Sequence, residues 1–328
     1  MNIVFVGLQY DYGDPRRGPS FEVETFQVTL EAAGHRVTPF DAVARVRAIG
    51  KRATQNELLH LVDDLRPDLL LAVPFGLEIT PLTYALIRAQ NHVSVVAWFS
   101  DDHWRYEALA RCLGPSLTCA VTTSRDVLPK YARDGIRCIL SQWGYAAGSL
   151  VPSEDGLVKR SSVVFVGQTY GRRNDSLHHV ASSTGNPVRI FGHGTPGGRL
   201  TTRQMADLFA TATVTLNFSD SWTPGLLSRI RHKQLRQPKR GRQIKARVFE
   251  VTGCGGFLLT QDAPFLAEYF DSGSEIAVFR DEEQLLSLLA KAIENPEWRD
   301  SIAAAGHRRC VTEHTMAQRL HDVFQRAL

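Results

Sequence analysis

The chain has 328 residues, of which 43% are hydrophobic and 22% charged, with a formal charge of +4. Fibrous and intrinsically disordered classes are excluded by that composition, and the length predicts two domains of about 150 residues. So modest a positive charge does not argue for nucleic acid by itself; its distribution along the chain carries more information.

The N-terminal run NIVFVG (2–7) has no basic lead and no small-residue cleavage site, so it reads as a first strand rather than a signal peptide. A polar loop, YDYGDPRRGPSFE (10–22), leads into a helical pattern over 20–35. The strand RVTPFD, the helix QNELLHLVDDLRP and the buried-type strand DLLLAVPF (68–75) follow. A helix over TPLTYALIRAQ precedes the strands VSVVAWFSDD (93–102) and CAVTTS (119–124). Residues 141–162 lack periodicity and read as a linker. Then SVVFVGQTYG (162–171) restarts the pattern: like the first strand, it ends in Phe-Val-Gly and a polar turn. Strands are expected at 187–194, 212–218, 255–260 and 275–280, and the apolar run before Gly253 also looks strand-like. Alternating strands and helices predict an α/β chain of two Rossmann-like domains with parallel sheets, facing across a cleft that would hold the ligand. The expected boundaries are 1–150, 151–310 and a last helix over 311–328.

Cys112, Cys119, Cys138, Cys254 and Cys310 are odd in number and none forms a CxxC pair. That argues against disulfides and zinc, and for reduced thiols in a cytoplasmic protein. No apolar run reaches about 18 residues, so no membrane span is expected. HExxH, DxD and GxSxG are absent, which removes metalloprotease and serine hydrolase readings.

Between Asp220 and Glu250 there is no acidic residue, while Arg229, Arg231, Lys233, Arg236, Lys239, Arg240, Arg242, Lys245 and Arg247 accumulate. Such density needs solvent or an anionic partner. Lys245 and Arg247 lie closest to the glycine turn and suit a diphosphate. Aromatic residues are sparse in the run, which argues against nucleic acid; a phosphorylated or otherwise anionic acceptor would fit it. Gly253, Gly255 and Gly256 either let backbone N–H groups approach phosphate or simply make a tight turn. Glu250 either binds ribose hydroxyls or neutralises Arg247 or Lys245. In the first half, Asp101, Asp102 and His103 end a strand, where an acid and an imidazole can move a proton; one Asp would instead cap the next helix. Trp98, Phe99, Trp104 and Tyr106 would form a platform for a sugar. Arg16, Arg17 and Glu22 could meet a substrate, with Ser20 or Gly18 capping the helix that follows.

The stretches 245–261, 269–285 and 296–319 resemble the C-terminal half of the spore-maturation-protein-like (CgeB-type) glycosyltransferases, which have the GT-B fold. YGDPRRGPSFE (12–22), WFSDDHWRY (98–106) and FVGQTYGRRN (165–174) resemble the same branch, so the likeness spans most of the chain. It implies a transferase that needs no metal or other cofactor and moves a sugar from a nucleoside-diphosphate sugar to an acceptor hydroxyl. The second domain would bind the donor, and the last helix, from 315 to 328, would cross back to the first domain. Glu250 would hold the ribose, Arg247, Lys245 and Arg173 the diphosphate, with Gly167, Gly253, Gly255 and Gly256 beside the donor. Asp101, Asp102 and His103 would face acceptor and sugar, Asp102 being the candidate base, and Arg17, Ser20, Glu22 and Trp104 would bind the acceptor. One departure stands out. Where relatives carry the first carboxylate of a Glu-x7-Glu pair, this chain has Arg242, and Asp220 is the possible substitute. The alternatives are a nucleotide-sugar epimerase or hydrolase of the same fold, or a non-enzymatic protein that binds nucleic acid or an anionic surface through residues 229–247.

Overall fold

The computed structural model describes residues 1–90, 93–153, 160–169, 172–184, 187–220 and 241–328. The expected basic side chains from Arg229 to Arg240 lie outside the described residues. By its internal contacts the chain divides into two compact units, residues 1–149 with 316–328, and residues 150–315.

In the first unit six strands form one parallel sheet: β1 (Asn2–Val6), β2 (Arg36–Phe40), β3 (Leu69–Ala72), β4 (Ser94–Phe99), β5 (Cys119–Thr122) and β6 (Cys138–Leu140). Their order is β2-β1-β3-β4-β5-β6, with Ile3 level with Val37 on one side and Leu69 on the other. β3 is Leu-Leu-Leu-Ala and wholly buried, as a strand covered by helices on both faces must be. Leu58, Val62, Tyr84 and Ile87, from the helices between strands, pack into the same core. β6 has only three residues and escaped the sequence reading. The last helix, Met316–Ala327, buries Met316, Leu320, Val323, Phe324 and Ala327 within the first unit. Arg137 beside β6 secures its end by donating to the carbonyls of Arg326 and Ala327.

The second unit holds β7 (Arg160–Val166), β8 (Val188–Phe191), β9 (Ala212–Asn217), β10 (Leu258–Gln261) and β11 (Ala277–Phe279), in the order β11-β10-β9-β7-β8. Read from its other edge, this repeats the first five strands of the first sheet. The shared Phe-Val-Gly ending has a shared cause. A Cβ added to Gly7 would lie 3.0 Å from the Phe5 ring, and one added to Gly167 would lie 3.0 Å from that of Phe165. Each glycine thus leaves room for the ring folded beneath it. In both sheets the strand order reverses between the first and third strands, and at such a switch point the carboxyl ends leave a crevice for ligands.

One expectation fails here. Residues before Gly253 are not a strand but a helix, Ala246–Gly253, of which Val248 to Gly253 are all buried. The largely apolar run 248–251 is too short for spacing alone to separate a helix from a buried strand, and its valines and phenylalanine favour a strand.

Candidate functional site

In the second unit, side chains gather at the carboxyl ends of β7 and β9. Arg173, on the helix Arg172–Thr184, is buried and donates to the carbonyls of Phe218 (3.2 Å), Asp220 (2.6 Å) and Gln168 (3.3 Å). It ties the loop after β7, which starts at Gly167, to the loop after β9. Asp220 pairs with Arg242 in an isolated antiparallel bridge, with Arg242 Nε 3.9 Å from the carboxylate. So the arginine standing where a carboxylate was expected is next to the acid proposed to replace it. Gln243 donates to the Ser219 carbonyl at 3.0 Å, and the chain then enters the helix Ala246–Gly253.

Lys245 holds the N-cap position of that helix, and no side chain caps it. Arg247 and Glu250 form an ion pair at 2.6 Å across one helical turn. The Arg247 guanidinium also lies 5.0 Å over the Phe209 ring and 2.9 Å from Met205 Sδ. The neutralising alternative for Glu250 is therefore realised on Arg247, through Oε2.

The glycine turn is at the other end of the helix, which corrects the reading of its N–H groups as phosphate donors. Gly255, at φ +76°, donates to Thr252 O (3.0 Å), and Gly256 donates to Val251 O (3.0 Å). This is a Schellman stop. Its N–H groups are occupied, and the helix end is the negative one, so Gly253, Gly255 and Gly256 offer nothing to an anion. Gly256 also lets the backbone pass Phe209, whose carbonyl oxygen would be 2.4 Å from an added Cβ.

In the first unit, Asp101 stands at the N-cap of the helix Asp102–Arg105, but its side chain makes no capping bond. Asp102 is turned inward, 1% exposed, with Oδ2 accepting from the Tyr131 hydroxyl at 2.8 Å. Burial pushes its carboxyl up to about 7, and hydrogen bonds from Thr122 and Tyr131 only partly oppose this. A carboxyl so enclosed holds a proton in the core but does not reach a substrate, which corrects its reading as the base. His103 and Trp104 are half-buried, and Arg105 stacks 5.6 Å over the Trp104 ring. The expected platform is also corrected: Trp98, Phe99 and Tyr106 are core residues.

Ser20 is buried, donating to Leu8 O at 2.5 Å and accepting from Val23 N–H at 3.1 Å, so it anchors the helix start rather than an acceptor. Glu22 follows it and precedes a turn of π-helix over Val23–Gln27. Such turns recur at functional sites. Burial raises the Glu22 carboxyl above the usual range, with Asp11 and Asp41 adding to this against bonds from its own backbone and Ser20. Arg17 pairs with Asp11 at 2.9 Å and lies 4.6 Å over the Tyr12 ring. Sequence reasoning missed Tyr12 and Phe75, two aromatic residues that stay exposed at this end of the sheet. The only sequence signal was their place in loops after β1 and β3.

Among the described residues no helix is long and apolar enough to cross a membrane. Residues 172–325, a little under half of the chain, match the family described as "Glycosyl transferase-like". No curated protein matches the sequence. Among solved structures, sucrose-phosphate synthase from Thermosynechococcus elongatus is similar at a TM-score of 0.64 and 11% identity, over 99% of this chain and 98% of that one. Anabaena HepE in complex with UDP and glucose gives 0.63 and 12%, over 99% of both chains. A UDP-N-acetylglucosamine 2-epimerase from Listeria monocytogenes, described as putative, gives 0.56 and 10%, over 99% and 96%. Identities this low speak for fold. The chain thus has the α/β, parallel-sheet GT-B fold of glycosyltransferases, and its C-terminal half matches the glycosyl transferase-like family in sequence.

Proposed function

We propose that the protein is a glycosyltransferase of the CgeB-type branch that binds a nucleoside-diphosphate sugar on its second unit and passes the sugar to an acceptor hydroxyl. The observation that carries this reading is the gathering of Lys245, Arg247 and Glu250 on a helix that starts beside the crevice of β7 and β9. An uncapped helix N-terminus carries partial positive charge and free donors, which suit phosphate oxygens. Lys245 adds a full charge there. In the transfer, the bond from the anomeric carbon to the acceptor oxygen forms as the bond to the diphosphate breaks. The cations oppose the negative charge growing on the leaving diphosphate, which removes the need for a metal in this reading. Glu250, with one oxygen held by Arg247, keeps its second for ribose hydroxyls. Arg173 acts one step back, by fixing the loops after β7 and β9. The acceptor proton goes either to the leaving phosphate or to Glu22, the partly buried carboxyl of the first unit that replaces Asp102 as candidate base. HepE structures that contain UDP-glucose support a nucleotide-sugar donor. The test is a thermal-shift and calorimetric screen of UDP-, GDP-, TDP- and ADP-sugars, where the donor raises the melting temperature. Absence of binding to all of them sinks the reading.

The likeness to a putative epimerase favours one second reading, rearrangement of a nucleotide sugar without an acceptor. Incubation with a single nucleotide sugar separates the two: an epimerase converts it alone, and a transferase leaves its configuration unchanged.

A further inference from the structure

We propose that the acceptor is a neutral carbohydrate, seated on a stacking corner that Tyr12 and Phe75 form at the switch point of the first sheet. The inference rests on the transferase reading and names an acceptor class that reading leaves open. Tyr12 comes from the loop after β1 and Phe75 from the loop after β3, the two strands between which the sheet order reverses. Their rings lie 6.1 Å apart at 83°, so one makes a floor and the other a wall. Tyr12 is 50% exposed and Phe75 45%, whereas the aromatic side chains of β4 are buried.

This corner is held against its own backbone preference. Tyr12 has φ 52° and ψ 23°, in the left-handed region, which costs a non-glycine residue about 1 kcal/mol or more. An exposed loop free of restraint would relax to negative φ. Two arginines oppose that at Tyr12, and a third holds the segment of Phe75. Arg17 stacks 4.6 Å over the Tyr12 ring, Arg47 donates to Gly13 O at 3.0 Å, and Arg105 donates to Phe75 O at 2.5 Å.

The chemistry of the corner selects its occupant. A pyranose has a face of C–H groups that lies on the negative face of an aromatic ring, and a rim of hydroxyls that needs planar charged partners. Asp11, Arg17 and Glu78 supply that rim: Asp11 pairs with Arg17, and Glu78 already accepts from Gly76 N–H at 2.7 Å. An alkyl chain would use the rings but none of these hydrogen-bonding groups. The arginines here are already engaged, Arg17 by Asp11, Arg16 by Asp14, Arg47 by Gly13 O and Arg105 by Phe75 O, so the corner is not built around a phosphate.

Saturation-transfer NMR on the full chain, with the methyl glycosides of glucose, galactose and mannose and with maltose and lactose as probes, tests the proposal. At least one probe should receive saturation on its ring C–H protons. Phe75→Ala combined with Tyr12→Gly should weaken that probe at least tenfold, and Tyr12→Phe should retain it. Glycine suits the left-handed position, so Tyr12→Gly alone removes the ring without lowering Tm, which separates loss of the corner from loss of the fold. No saturation of any probe, or equal binding by the double variant, overturns the proposal. Titration of the same samples with UDP-, GDP-, TDP- and ADP-glucose keeps the two readings apart. Donor binding without glycoside binding removes the corner and leaves the transferase. Glycoside binding without any donor removes the transferase and leaves a carbohydrate site.

Discussion

The guanidinium of Arg247 lies 2.6 Å from the Glu250 carboxylate, with both side chains largely shielded, 19% and 11% exposed. Such a pair is strongest as a unit: removing one partner strands the other charge in a poorly solvated place. Arg247→Ala should therefore destabilise the protein by about 2–3 kcal/mol in urea unfolding. It should also weaken donor binding at least tenfold by calorimetry. Glu250→Gln keeps the shape and a hydrogen-bond acceptor, so its stability cost should be smaller while its loss of donor affinity is similar. Full donor affinity in both variants would remove the pair from the binding site.

Arg173 makes a different prediction, because its guanidinium serves backbone. Lysine has one ammonium and cannot span the carbonyls of Gln168, Phe218 and Asp220. Arg173→Lys should cost about 1–3 kcal/mol, from buried carbonyls left without donors. Donor affinity should fall through misplaced loops, with the melting temperature falling in parallel. Lost affinity at an unchanged melting temperature would instead make Arg173 a direct ligand.

Asp102 should make stability depend on pH. Its carboxyl titrates at about 7 in the folded protein, above its ordinary value of 3.8, so the native state keeps a proton that the unfolded chain releases. Stability should fall as pH rises from about 4 to 7 and level off above that, since the unfolded state binds fewer protons across that window. Asp102→Asn cannot ionise and still accepts from Tyr131. It should match the wild type near pH 4 and exceed it at pH 8, by up to about 4 kcal/mol. Parallel stability curves for the two proteins between pH 4 and 8 would show that the carboxyl ionises freely.

Two neighbouring glycines should differ in what they tolerate. Gly255 sits at φ +76° with only the His307 ring near, 4.0 Å from an added Cβ, so Gly255→Ala should cost about 1 kcal/mol of backbone strain. Gly256 has ordinary φ, but its Cβ would fall 2.4 Å from Phe209 O, which cannot yield cheaply. Gly256→Ala should cost more, about 2–3 kcal/mol or above. Chemical denaturation of both variants checks the order, and the reverse order would contradict the close approach.

Much of the fold was legible because parallel strands buried on both faces write themselves as apolar runs. Leu69-Leu70-Leu71-Ala72 and the two Phe-Val-Gly endings needed no tertiary information. A similar short, largely apolar run, 248–251, hid the helix Ala246–Gly253, because a few valines and a phenylalanine before a glycine turn read equally as a strand. Site residues were legible by type but not by orientation. Glu250 was singled out as a lone acid beside cations, and the structure pairs it with Arg247. Asp102 stood in the right kind of loop, and only packing turned it towards Tyr131.

By itself, then, the sequence determined the alternation of strands and helices, and with it two parallel sheets, because strand and helix periods are local properties of the chain. Which way a side chain faces at the end of a strand is not local. Tertiary structure alone decided that Asp102, Trp98 and Tyr106 go into the core while Tyr12 and Phe75 stay out, since that choice depends on which helices cover each strand end.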